Sequence, residues 1–181
     1  MLFTHCRKEV KRGKIFSYLT GISADVMFLQ ETHLKDVAHT KLRCSWVGQT
    51  FHSSFSTKTR GVAILFRKNV PFKHTDTIVD HQGRFLIVTG ELYSSPVTLL
   101  NIYGPNFDSP GFYSKILSRL PVSAPQSNLI IGGDLNCVLD PYLDKSSQQK
   151  LKKTKTAELL TSFMNNSNLV DIWRVINPTL T

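Results

Sequence analysis

Ala24-Asp25-Val26-Met27-Phe28-Leu29-Gln30-Glu31-Thr32-His33 is the stretch on which the fold turns. A short apolar run ends abruptly at Gln30-Glu31. Its length and its β-forming residues predict a strand buried on both faces, opening into a polar loop. Upstream, residues 7–20 are expected to form a helix. Val10, Ile15, Phe16 and Leu19 gather on one side, Lys8, Lys11, Arg12 and Lys14 stay wet, and Gly21 suits the C-terminal cap.

Downstream, the same signature of short β-rich runs predicts strands at 45–49, 62–66, 85–92, 97–103 and 129–131. Turn signals separate them: Asn69-Val70-Pro71, His81-Gln82-Gly83, Ser94-Ser95-Pro96 and Gly104-Pro105-Asn106. Ser109-Pro110 offers a cap and first-turn proline for a helix carrying Phe112, Tyr113, Ile116, Leu117 and Leu120, closed by Pro121. A further helix at 156–166 carries Leu159, Leu160, Phe163 and Met164, and a strand-like tail follows. Helices flanking several short strands imply a layered α/β or α+β arrangement around a sandwich. With no repeat or long linker, residues 1–181 are expected to form a single domain.

Three strands run straight into polar residues: Phe28-Leu29-Gln30-Glu31, Leu100-Asn101-Ile102-Tyr103-Gly104-Pro105-Asn106 and Ile131-Gly132-Gly133-Asp134-Leu135-Asn136. Strand ends opening into loops are where a rigid core presents reactive groups. The residue types are coherent. Magnesium takes a few carboxylate oxygens and keeps waters, which leaves room for substrate phosphate. Glu31 is the candidate metal anchor, Asp134 the group that orients and deprotonates a water, Asn136 a partner of Asp134 or the phosphate, and Tyr103 a hydroxyl for the phosphate. Gly132-Gly133 would let the backbone come close. Singly, each has a plainer reading: Glu31 as a solvated strand end, Gly-Gly-Asp-Leu-Asn as a tight turn, Tyr103 as a half-buried strand residue.

Composition sets the bounds. Hydrophobic residues at 41% and charged ones at 19% support a packed core and argue against global disorder. Twenty-two Lys and Arg against 13 Asp and Glu give +9, favouring an anionic partner, nucleic acid before an acidic membrane surface. Lys58, Arg60, Arg67, Lys68, Lys152 and Lys153 are the candidate phosphate contacts, or else parts of solvated loops. Cys6, Cys44 and Cys137 lie far apart with no C-x-x-C, so neither a zinc site of that type nor a disulfide framework is indicated. No secretory pattern opens the chain and no apolar run approaches a membrane span, so a soluble, intracellular, nuclear or cytoplasmic monomer is expected.

The blocks quoted above resemble, in order, the signatures of the endonuclease/exonuclease/phosphatase superfamily. Arg60-Gly61-Val62-Ala63-Ile64-Leu65 and Leu169-Val170-Asp171-Ile172-Trp173-Arg174 add two more to the series. The likeness is greatest to the endonuclease domains of LINE-type retrotransposons, which resemble exonuclease III and abasic-site endonucleases. It implies a four-layered α/β sandwich of the DNase-I-like type, with two mostly antiparallel sheets and helices outside. It also implies magnesium, with manganese as its substitute, held at Glu31. Tyr103 would support the phosphate, Asp134 and Asn136 would activate water and bind phosphate, and the product would be a nicked DNA strand.

The chain departs from that pattern at both ends. The family carries an asparagine near the metal in its first strand, whereas this sequence begins Met1-Leu2-Phe3 and has its first asparagine at Asn69. The family also ends with a Ser-Asp-His segment and an earlier Asp, for which 177–181 hold no counterpart. His33, beside Glu31, matches a position other than the catalytic histidine. The chain alone is therefore expected to be inactive or nearly so, and poorly stable. The competing readings are a non-catalytic nucleic-acid-binding fragment and a phosphatase or phosphodiesterase of the same fold acting on another phosphate ester.

Overall fold

The computed structural model describes residues 9–122, 124, 127–139 and 153–177. Two compact units are present: residues up to Gly104 together with 122–135, and 105–121 together with the chain from Asn136 onward.

The first unit opens with α1 (Glu9–Ile22), followed by β1 (Val26–Leu29) and a 3-10 helix (Asp36–Leu42). Five strands follow before the chain leaves the unit: β2 (Val47–Ser53), β3 (Val62–Arg67), β4 (Phe72–Val79), β5 (Phe85–Leu92) and β6 (Ser95–Tyr103). β7 (Asn128–Asp134) returns later. Two sheets result, β1-β3-β2 and β4-β5-β6-β7, in which every neighbouring pair is antiparallel except the parallel β6 and β7.

Two apolar layers hold the unit together. Val62, Ile64 and Phe66 on β3 meet Leu86 and Val88 on β5 and Val97 and Leu99 on β6, so one layer lies between the sheets. Ala63 and Leu65, on the opposite face of β3, pack with Met27, Leu29, Ile15 and Leu19, so α1 covers the outside of the smaller sheet. β3 is therefore buried on both faces, as its unbroken Val-Ala-Ile-Leu-Phe run requires.

A buried amide cluster crosses the inter-sheet layer. Asn101 on β6 is fully buried; its Nδ2 donates to the carbonyls of Leu29 (3.1 Å) and Ala63 (2.9 Å), and its Oδ1 accepts from Gln30 Nε2 (2.7 Å). A satisfied buried amide of this kind fixes β6 against β1 and β3. Asn101→Ala would strand the Gln30 amide and is expected to cost about 2–3 kcal/mol in urea denaturation, because an unmade buried hydrogen bond costs more than a made one gains.

The second unit contains α2 (Pro110–Leu117), α3 (Lys155–Asn166) and the short α4 (Ile172–Ile176). Asp108 staples α3 onto the segment before α2, accepting from the amides of Thr156 (2.9 Å) and Lys155 (3.2 Å). The Thr156 side chain first, and then those amide bonds, hold its carboxyl below the usual range. Thr154 caps the same helix by accepting from the Ala157 amide (3.2 Å).

Several expectations need correction. α1 runs past Gly21 to Ile22, and the left-handed residue that ends it is Ser23 (φ 57°). Val10 is 74% exposed and takes no part in the apolar stripe. β2 begins and ends later than 45–49 and carries a bulge at Val47/Gln49; Thr50 and His52, on the face shared with Leu65 and Ala63, break the apolar signal of this edge strand. β4 was hidden for the same reason: Lys73, His74, Thr75 and Asp76 are the exposed residues of an edge strand. The strand-like tail is helical, since Asp171 accepts from the amides of Trp173 (3.0 Å) and Arg174 (3.3 Å) and so starts a turn.

Candidate active site

Three strand ends meet in the first unit. β6 and β7 run parallel with Tyr103 opposite Asp134 and Asn101 opposite Gly132. Side chains alternate along a strand, so these four positions share one face. That face looks toward β1, because Asn101 bonds the Leu29 carbonyl and a Cβ on Gly132 would strike the Phe28 ring. β1 then leads through buried Gln30 into Glu31, which lies half-buried within reach of Tyr103. The Tyr103 hydroxyl donates to Glu31 Oε1.

The charge arrangement favours that donor role. Burial, the hydrogen bond to Glu31 and the charges of Glu31 and Asp134 push the Tyr103 hydroxyl up to about 12, with Arg84 opposing them. Its folded pKa is raised, so the stabilisation from the neutral hydroxyl is complete below pH 10 and is lost as pH climbs toward 12. At neutral pH the phenol keeps its proton and aims it at Glu31.

Arg84 is a residue that sequence reasoning missed. Its Nη1 donates to the carbonyls of Gly104 (2.9 Å) and Tyr103 (3.3 Å), and its guanidinium lies 5.1 Å above the Tyr103 ring. The signal was faint: a lone arginine after the Gly83 turn, opening the strand whose Phe85 pairs with Ile102.

The backbone around Glu31 is unusual. Glu31 (φ 51°), His33 (φ 53°) and Arg60 (φ 63°) are left-handed without being glycine, and Gly61 has φ 97°. The Thr32 and His33 amides donate to the carbonyls of Gly61 and Arg60, both at 3.0 Å, which ties the Glu31 loop to the loop before β3. Such conformations cost on the order of 1–3 kcal/mol each and cluster where function over-determines geometry.

The two glycines before Asp134 serve packing. Gly132 makes room for Phe28, and Gly133 (φ 125°) sits where a Cβ would fall on the Ile102 carbonyl oxygen and 2.9 Å from Asn101 Oδ1. Their absence of side chains lets β7 lie against β6 and under β1.

The remaining candidates are dispersed. Lys58 and Arg60 belong to the loop hydrogen-bonded to the Glu31 segment, with Arg60 stacked 4.6 Å over Phe55 and donating to Gln82. Arg67 and Lys68 lie at the other end of β3, where Arg67 donates to the carbonyls of Thr20 (3.2 Å) and Ala24 (3.4 Å). Asn136, exposed and left-handed (φ 46°), belongs to the second unit, as does Lys153, which donates to Thr161 (2.8 Å). Lys152 and most of the polar loop from Ser146 lie outside the described residues. His33 is buried.

Residues 6–154 match the sequence model of the Endonuclease/Exonuclease/phosphatase family. The chain belongs to this family. A curated relative of it, the Transposon TX1 uncharacterized 149 kDa protein of Xenopus laevis, is 25% identical over 175 residues, covering 96% of this chain; the chain spans 13% of that protein's length. An AP endonuclease from Archaeoglobus fulgidus shares the fold with a TM-score of 0.68 at 19% identity, over 99% of this chain and 76% of its own. TDP2 from D. rerio, complexed with a single strand DNA product, matches with a TM-score of 0.55 at 21% identity, over 70% of this chain and 53% of its own. The mixed α/β architecture with two sheets and helices is therefore the fold of the DNase-I-like AP endonucleases, as the strand-end blocks implied. Among the described residues no helix is long and apolar enough to cross a membrane.

Proposed function

We propose that this family member is a DNA phosphodiesterase of the endonuclease type, a single nuclease domain that works with a divalent cation. The observation that carries the reading is the convergence of Glu31, Tyr103 and Asp134 at the ends of β1, β6 and β7.

The residues suit magnesium, or manganese in its place: Glu31 and Asp134 offer hard carboxylate oxygens. Glu31 would hold the cation, and a bound cation supplies electrostatic stabilisation of the charge that develops on the phosphate. The protein's own groups do the rest. Tyr103, kept protonated, donates to one Glu31 oxygen and fixes how the carboxylate is presented. Arg84 holds Tyr103 in turn through its carbonyl and its ring face. Asp134 accepts a proton from the attacking water. Lys58 and Arg60, on the loop tied to Glu31, neutralise flanking phosphates without reading sequence.

DNA is favoured as substrate by the +9 charge, by the transposon relative and by the nucleic-acid product in the TDP2 complex. A panel of supercoiled DNA, RNA and phosphoinositide or sphingomyelin vesicles, each with magnesium, tests the choice. Cleavage of DNA is expected to exceed that of the other substrates and to weaken steeply as salt rises. Turnover of a lipid phosphate ester in preference to DNA would move the domain to another branch of the family.

A further inference from the structure

Away from the Glu31 cluster, one group of side chains has the composition of a transition-metal site. Asp36, His39 and His52 each offer a ligand atom, and the three atoms lie within 4.8 Å of one another, the one such group among the described residues. Their placement follows from local structure. Residues three apart eclipse in a 3-10 helix, so Asp36 and His39 stand on one face of theirs. His52 projects from β2 on the face it shares with Ala63, under that helix. His52 Nε2 is 3.6 Å from Asp36 Oδ1, and the two imidazoles stack at 4.0 Å between centroids.

Two further observations point to a ligand. A cavity of about 430 Å³ opens beside Asp36 and His52 and is also lined by Thr50, Ser54 and His81. Thr50 Oγ1 is, among the described residues, the one buried side-chain polar atom without a hydrogen-bond partner. The site also has an outer ring: Ser54 Oγ and the Lys35 carbonyl touch His39 Nδ1 at 3.1 and 3.2 Å, while Thr32 Oγ1 lies 3.3 Å from Nε2. An ion on Nδ1 would displace the Ser54 and Lys35 contacts and leave the Nε2 hydrogen to Thr32, a bond of the kind that orients a ligating imidazole.

We propose that Asp36, His39 and His52 bind a divalent transition-metal ion of the zinc class, at a site separate from the oxygen-lined Glu31 position. Two imidazoles and one carboxylate are a donor set that zinc accepts with a water in the remaining position, and one that magnesium disfavours. Ligation by both rings requires them to open from their 7° parallel stack, and the cavity beside His52 gives the room. His81, in the same wall, is a further imidazole on hand. Because Thr32 directly follows Glu31, an ion here would brace the catalytic loop through the Thr32–His39 contact.

The test is titration of the full chain with Co²⁺ and Zn²⁺ in millimolar Mg²⁺, read by calorimetry and by the visible Co²⁺ spectrum. One ion per chain is expected, with no thiolate charge-transfer band. Asp36→Asn, at an exposed position that leaves folding intact, and His52→Gln are each expected to weaken binding tenfold or more, and Glu31→Gln to leave it unchanged. No binding by folded wild type would overturn the proposal. Full binding in Asp36→Asn, loss of binding in Glu31→Gln, or a thiolate band placing the ion on a cysteine would do the same.

Discussion

Glu31→Gln is expected to lower magnesium-dependent DNA cleavage about 100-fold or more, with no loss of folding stability. The amide oxygen of Gln can still accept the Tyr103 hydroxyl bond, so the loop geometry survives while the negative charge that holds a cation is gone. Two other readouts should move with the rate. Cation affinity at this site should fall at least about tenfold. Tyr103 should also ionise at lower pH, since the charge of Glu31 contributes to raising it. An unchanged rate would mean that Glu31 is a strand-end carboxylate held by a tyrosine and nothing more.

Gly133→Ala should be the most damaging single methyl in the first unit. The residue sits at φ 125°, where an L side chain is strained in any surroundings, and its Cβ would meet the Ile102 carbonyl oxygen. Strain of about 1–3 kcal/mol adds to overpacking of similar size, so a loss of about 3–5 kcal/mol is expected in urea denaturation. Gly132→Ala meets only the Phe28 ring, which can turn aside, and should cost about 1–2 kcal/mol. Reversal of that order would show that β7 does not lie on β6 in the register described, and with it that Asp134 does not stand beside Tyr103.

How much of this could be seen in the sequence depends on what each residue answers to. Buried strands answer to hydrophobicity, so β1, β3, β5 and β6 were visible in their apolar runs, and their abrupt polar ends marked where Glu31, Tyr103 and Asp134 would lie. Edge strands answer to pairing, and β4 with its Lys73-His74-Thr75-Asp76 carries no such signal. Gln30 and Asn101 broke the apolar pattern just as the candidate site residues did, yet they are sealed between the sheets with their amides joined. A polar residue in a buried run says that something specific happens there, without saying whether the partner is backbone or substrate. Arg84 and the Asp36–His39–His52 group depend on contacts between segments distant in sequence, and nothing in one linear stretch announces them.

Nicking of supercoiled plasmid by the wild-type chain and by Asp134→Ala, in magnesium and in EDTA, decides whether Asp134 acts on phosphodiester bonds. Protein should be in excess over plasmid, so that slow turnover is still read. The expected result is nicking that requires magnesium and falls to the EDTA background in the variant. Nicking that persists in Asp134→Ala, or none from wild-type protein shown to be folded, would contradict it; the second result would leave a nucleic-acid-binding domain without catalysis.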